Sequence, residues 1–205
     1  MAIKTCFFDM GNVLVHFCHD RMCQNVAAAT GASLEQTKAV LLGSGLQLKL
    51  ERGEISEEQF HAGFEKECGR TVDFDALKLA AADIFWLNDS IVPLVKELKQ
   101  LQIRLVLLSN TSVTHLEFIQ RKFDILQHFD AFTTSYEAGA LKPEPAIYED
   151  ALRKANCEPE SCFYTDDIED YVLKARTFGI HAEVYTATPL TRMALQTLGV
   201  NVASE

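Results

Sequence analysis

The sequence predicts an α/β fold, a parallel, doubly wound sheet whose first strand is followed by a helical insert. Three observations predict it. Short apolar runs recur at 3–8, 103–108, 130–134, 161–165 and 180–185, each bounded by turn or polar residues. Stretches of helical spacing separate them, so the chain alternates strand and helix. The runs are nearly continuous, as in Ile103-Arg104-Leu105-Val106-Leu107-Leu108, a pattern that suits strands covered by helices on both faces.

The first run ends in Cys6-Phe7-Phe8 and is closed by Asp9. Residues 16 to about 90 then break the alternation, and no strand is expected there. Residues 21–30, 33–42 and 56–68 have helical spacing, with Ser33 and Ser56 placed as N-caps. Gln59, three residues after Ser56, completes a capping box. Gly31, Gly43, Gly45, Gly53 and Gly69 punctuate this stretch. The expected division is a core of 1–15 and 89–205 with a helical insert at 16–88, the chain re-entering the core at Asn88-Asp89-Ser90. The second core strand runs into Ser109-Asn110-Thr111 before a helix at Val113–Lys122. The strand Cys162-Phe163-Tyr164-Thr165 closes on Asp166-Asp167 and a helix begins near Ile168.

Composition limits the class of protein. A chain of 205 residues, 48% hydrophobic, buries a substantial core as one domain with an insert or as two small ones. A formal net charge of −10 without basic runs argues against nucleic acid and anionic membrane surfaces as partners. The first apolar run is too short for a signal peptide core, and no stretch approaches the roughly 18 apolar residues of a membrane span. The expectation is a soluble, cytoplasmic protein. The cysteines at 6, 18, 23, 68, 157 and 162 lack paired spacing and read as reduced thiols.

Four positions carry chemistry. Asp9, at the C-terminal end of a strand, lies where open α/β sheets bind ligands, and a carboxylate there can attack phosphorus. A turn aspartate bonding backbone amides has the same signature. Ser109-Asn110-Thr111 offers a hydroxyl and backbone amides to a phosphate oxygen, or simply caps the next helix. Lys142, in the proline-stiffened Leu141-Lys142-Pro143-Glu144-Pro145, offers a fixed point charge or a solvated ammonium. Asp166-Asp167 would join Asp9 in a hard-oxygen site suited to Mg²⁺, or cap a helix. Each signal is weak singly; their order, each at a strand end or in a loop between core elements, is what carries weight.

In that order the chain resembles the haloacid dehalogenase-like hydrolase superfamily, whose four motifs match Asp9, Ser109, Lys142 and Asp166-Asp167. Phe8-Asp9-Met10-Gly11-Asn12-Val13-Leu14-Val15, Gly53-Glu54-Ile55-Ser56-Glu57-Glu58-Gln59-Phe60, Leu108-Ser109-Asn110-Thr111 and Leu141-Lys142-Pro143-Glu144-Pro145-Ala146-Ile147-Tyr148 look like the branch containing bacterial sugar-phosphate phosphatases and the phosphatase domain of soluble epoxide hydrolase. The resemblance implies a Rossmann-like core of five parallel strands with a helical cap inserted after the first. It also implies roles. Asp9 would be nucleophile and metal ligand, with the Gly11 carbonyl a backbone ligand. Ser109 and Asn110 would hold the phosphate, Lys142 would neutralise charge, and Asp166, supported by Asp167, would bind Mg²⁺. The acidic pair favours a Mg²⁺ phosphohydrolase over the metal-free dehalogenase branch. Tyr171 stands where phosphatase relatives often carry asparagine.

Gly11 departs from the pattern, because the family's usual aspartate there protonates the leaving oxygen and later activates water, help worth roughly 10²–10⁴-fold. The family branch does contain members with glycine at this position. The expectation is a Mg²⁺-dependent phosphatase acting through an aspartyl-phosphate on a small phosphorylated metabolite, a sugar phosphate among the candidates. Without the acid, it would favour anomeric, acyl or aryl phosphates, whose leaving groups need little protonation. The reading that competes with it is a non-catalytic binding or interaction module, and C–halogen hydrolysis is a third. His16 and His19 lie just beyond the first strand as candidate replacement acids. His16, Cys18, His19 and Cys23 match no common zinc spacing. Phe85 and Trp86 are expected to pack rather than to stack on substrate.

Overall fold

The sheet is built outward from its first strand. In the computed structural model, which describes residues 2–203, β1 (Thr5–Phe8) is followed by β2 (Val15–Phe17), α1 (His19–Thr30), α2 (Leu34–Lys38), α3 (Leu46–Glu51), α4 (Glu57–Cys68), α5 (Phe74–Ala82) and β3 (Phe85–Leu87). Then come α6 (Val92–Gln100), β4 (Arg104–Ser109), α7 (Val113–Lys122), β5 (Ala131–Thr134), α8 (Ser135–Ala138), α9 (Pro145–Ala155), β6 (Cys162–Asp166), α10 (Glu169–Arg176), β7 (His181–Val184) and α11 (Thr188–Thr197). Five strands make one parallel sheet in the order β5-β4-β1-β6-β7.

Burial on both faces explains why the strands read as continuous apolar runs. Phe8, Leu105 and Leu107 join one buried cluster with Leu94 and Leu98 of α6 and Leu116 and Ile119 of α7. Phe7, Val106, Leu108 and Tyr164 point the other way, into Ile147, Tyr148 and Ala151 of α9 and Ala175 of α10. All five expected core strands are present, each within a residue or two of its apolar run.

The segment between β1 and α6 corrects two expectations. It does contain strands: β2 and β3 pair antiparallel, Val15 opposite Leu87 and Phe17 opposite Phe85, so the chain leaves and re-enters side by side. The helix expected at 33–42 is α2 followed by a π-helical turn at Ala39–Gly43. The caps hold as expected. Ser56 Oγ accepts from the Gln59 amide at 3.2 Å and Gln59 Oε1 accepts from the Ser56 amide at 2.8 Å. Ser33 forms the same box with Gln36. Asn88 secures the return, donating to the Val13 carbonyl and the Tyr185 hydroxyl, both at 2.8 Å.

The helices of this segment are fastened to the sheet domain at polar points. Glu57 of α4 accepts from the Thr114 amide in the first turn of α7 at 2.9 Å. Arg52, just past α3, makes a two-pronged ion pair with Glu144 at 3.0 and 2.5 Å. Between these points Gly53, at φ +73°, lies so close to the Tyr136 carbonyl that a Cβ would sit 2.4 Å from its oxygen. The six cysteines are free thiols. Among the described residues no helix is long and apolar enough to cross a membrane.

Candidate active site

Strand order decides which side chains meet. β4, β1 and β6 are neighbours, and the register pairs Phe8 with both Leu107 and Thr165. Asp9, Ser109 and Asp166 therefore emerge side by side at the C-terminal edge, where parallel α/β sheets place their ligands. The loop between α8 and α9 brings Lys142 across them.

Lys142 is the hub. It is 3% exposed, and its Nζ donates to Asp9 Oδ1 at 2.7 Å, Asp166 Oδ2 at 2.6 Å, the Leu108 carbonyl at 3.0 Å and the Tyr164 hydroxyl at 3.2 Å. The Tyr164 hydroxyl in turn donates to Asp166 Oδ2, and the Ile168 amide at the start of α10 donates to Asp166 Oδ1 at 2.8 Å. Lys142 is itself held by its backbone: Asn110 Oδ1 accepts from the Lys142 amide at 2.7 Å and Asn110 Nδ2 donates to the Lys142 carbonyl at 3.2 Å.

These contacts set the charges. Burial pushes the Asp9 carboxyl up to about 7, with the Asp166 charge adding to the rise and Lys142 opposing it. For Lys142, burial alone favours the neutral amine, but Asp9 and Asp166 outweigh it and hold the pKa above the usual lysine value. The cluster thus keeps its ammonium, while its buried nucleophile candidate is poised near neutrality.

Carboxylate oxygens of Asp9, Asp166 and Asp167 lie within 4.8 Å of one another, the one group among the described residues that could hold a metal ion. Three carboxylates against one ammonium leave the cluster negative, and the donors are hard oxygens, so the chemistry fits Mg²⁺. Asp167 is steadied by Asn12, whose Nδ2 donates to Asp167 Oδ2 at 2.9 Å. Asn12 has a left-handed φ of 56°, in the tight turn after Asp9 where the Asn12 amide donates to the Val15 carbonyl. His16, Cys18, His19 and Cys23 form no such group.

Gly11 opens onto a cavity of about 310 Å³. Its sheet side is Gly11, Ser109, Asn110 and Thr111, and facing these are Phe17, His19, Gln47, Leu48, Glu51 and Phe85. His115 also lines it, and burial pulls that imidazole down to about 4, leaving it neutral. His16 faces elsewhere, paired with Trp86 across β2 and β3. Phe85 packs against Phe17 and Phe118 as well as lining the cavity, whereas Trp86 is outside it.

All seven residues singled out from the sequence gather at one edge: Asp9, Gly11, Ser109, Asn110, Lys142, Asp166 and Asp167. The Asn110 side chain is spent on the Lys142 backbone, which leaves its backbone amide as the group free to face a phosphate. Missed from the sequence were Asn12, Tyr164 and Glu51. Asn12 stood within the first motif, so its polarity was a usable signal; Tyr164 looked like any apolar strand residue.

The fold and the acidic edge together define a class, and the comparisons place the chain within it. It belongs to the haloacid dehalogenase-like hydrolase family, whose sequence model matches residues 3–176. A phosphatase of Mycobacterium tuberculosis is 25% identical over 198 residues, spanning 94% of this chain and 91% of that protein. The D-ribitol-5-phosphate phosphatase of Bacteroides thetaiotaomicron is 26% identical over 175 residues, 80% of this chain and 83% of its own length. In fold, the chain is similar to a family enzyme of Bacteroides thetaiotaomicron solved with magnesium and inorganic phosphate. That structure has a TM-score of 0.79 and 24% identity, covering 91% of this chain and 96% of the other.

Proposed function

We propose that the protein is a Mg²⁺-dependent phosphatase that hydrolyses a small phosphorylated metabolite through an aspartyl-phosphate on Asp9. The observation that carries this reading is the buried Lys142 ammonium held between Asp9 and Asp166, with Asp167 alongside. A purely structural lysine would not need three convergent carboxylates at a strand edge. The similarity to two named phosphatases, over 94% and 80% of this chain, supports the same conclusion.

In this reading Asp9, Asp166 and Asp167, with the Gly11 carbonyl, hold the ion. Bound there, Mg²⁺ supplies charge neutralisation and polarises the phosphoryl group. The rest falls to the chain. Asp9 attacks phosphorus, and the leaving group departs into the neighbouring cavity that Gly11 lines. Lys142 shields the nucleophile from the incoming phosphate's charge. Ser109 Oγ, whose present contact to the Asn110 carbonyl is a weak 3.4 Å, turns to a phosphate oxygen. Asn110 contributes through its backbone amide, since its side chain keeps the Lys142 loop in place. The segment 16–88 serves as a cap over the core of 1–15 and 89–205, excluding water and selecting the substrate.

The test is hydrolysis of an aryl phosphate with and without Mg²⁺, beside the Asp9→Asn variant. Turnover that needs the metal and disappears in the variant is the expected result. Folded protein that binds Mg²⁺ without turnover would favour a binding module instead.

A further inference from the structure

The phosphatase reading leaves the leaving oxygen without a proton donor, because position 11 has no side chain. We propose that Glu51 is the catalytic acid and base that replaces it, reaching the leaving group from the opposite side of the cavity.

The placement rests on how α3 ends. Glu51 is the last residue of that helix. The next residue, Arg52, is clamped by two contacts to Glu144, two positions from Lys142. Gly53 then packs against the Tyr136 carbonyl, which only a residue without Cβ can do. The end of α3 is thereby fixed to the loop that carries Lys142, and Glu51 lines the cavity that Gly11, Ser109 and Asn110 line from below. Tyr171 ties the two sides together: Lys142 Nζ lies 5.1 Å from its ring centre, and its hydroxyl feels the charges of Lys142, Asp166, Asp9 and Glu51.

The Glu51 carboxyl suits the role. One oxygen accepts from Gln47 Nε2 at 2.9 Å. Among the described residues no cation pairs with it, so nothing locks it as a carboxylate. Burial raises its pKa, the Gln47 bond opposing, a shift in the direction that favours proton donation. The other titratable groups of the cavity fit less well. His115 is held neutral by burial, and His19 is exposed at the start of α1, packed on the Phe17 ring at 4.9 Å.

An Asp9 carboxylate oxygen bonds to phosphorus, the phosphorus–oxygen bond to the leaving group breaks, and the Glu51 proton passes to that oxygen to release the alcohol. Water then attacks the aspartyl-phosphate, its proton returning to the Glu51 carboxylate. Hydrogen phosphate leaves and Asp9 is regenerated.

Leaving-group dependence tests this. Glu51→Gln keeps the shape and the bond to Gln47, and kcat/KM reports only the steps up to phosphoryl transfer to Asp9, so 4-nitrophenyl phosphate, whose leaving group needs little protonation, should lose less than about threefold in kcat/KM. A simple alkyl monoester should lose roughly 10²-fold or more. Equal losses on both esters, or no loss on either, would overturn the role, and so would a wild-type protein that hydrolyses the aryl ester alone. The inference rests on the phosphatase reading, and the two fail differently. If neither ester is turned over by wild type, the phosphatase reading falls and the role of Glu51 with it. Asp9→Asn should abolish both activities where Glu51→Gln separates them.

Discussion

The ring of Phe17 stands where a side chain at position 11 would begin: a Cβ on Gly11 would lie 2.9 Å from Phe17 Cε1 and 3.5 Å from Cδ1. The missing carboxylate is therefore matched by an aromatic ring that has taken its space. Gly→Ala at an ordinary φ usually stabilises by about 0.4–1 kcal/mol through the unfolded chain. Here the forced shift of a packed ring, about 1–3 kcal/mol, outweighs it. Gly11→Ala should lower the urea midpoint, and in a Phe17→Ala background the same change should be neutral or stabilising. Additive effects would mean the ring is not what position 11 meets.

Lys142 is the sole ammonium in a buried acidic cluster, so its removal should be felt first in stability. Lys142→Met leaves Asp9 and Asp166 uncompensated, a change that costs about 3–5 kcal/mol in buried pairs. Thermal unfolding with and without Mg²⁺ should show a larger metal-induced rise in Tm for the variant than for wild type, because the ion then neutralises more unbalanced charge. An identical rise in both proteins would separate Lys142 from the metal site.

Gly53 and Gly69 share a left-handed backbone, φ +73° and +65°, but only Gly53 has a neighbour at its missing Cβ. Gly69→Ala should cost about 1 kcal/mol, the conformational term alone. Gly53→Ala should cost clearly more, and should also slow hydrolysis by loosening the hold of Arg52 on Glu144. Chemical denaturation of the two variants side by side checks this.

The Asp9 carboxyl, raised to about 7 by burial, should protonate and lose its nucleophilicity as pH falls through neutrality. At limiting Mg²⁺ the acid limb of the rate profile should lie near that value, and saturating Mg²⁺ should move it to lower pH, since metal and proton compete for the same oxygens. The sign for stability is set by the same shift. Folded metal-free protein retains a proton on Asp9 that the unfolded chain releases above its ordinary value of 3.8. The contribution of this group to stability is therefore full below 3.8 and declines as pH rises to about 7. Asp9→Asn should flatten that decline.

What the sequence made legible follows from how each feature is encoded. Cys6-Phe7-Phe8 declares a strand buried on both faces, because Phe7 and Phe8 enter opposite clusters. Ser56 and Gln59 declare a helix start, because the capping box is local. β2 and β3 were invisible, since three-residue strands carry no period and exist through their pairing across the intervening helices. The π-helical turn after α2 depends on a backbone hydrogen-bond shift that no side chain announces. α5 had a usable cue in its cap, Asp73, whose side chain accepts from the Ala76 amide at 2.8 Å. At the site, strand-end residues were readable because strand ends are readable. Phe17 against Gly11, Asn110 on the Lys142 backbone and Glu51 across the cavity are relations between distant segments, and only the fold brings them together.

The claim on which the rest depends is that Asp9 takes the phosphoryl group. Rapid acid quench of wild-type protein turning over 4-nitrophenyl phosphate with Mg²⁺, followed by peptide mass spectrometry, tests it directly. An acid-stable, base-labile phosphoryl adduct on the peptide containing Asp9, absent from Asp9→Asn, is the predicted result. Turnover with no adduct at any quench time, or with Asp9→Asn as active as wild type, would contradict it.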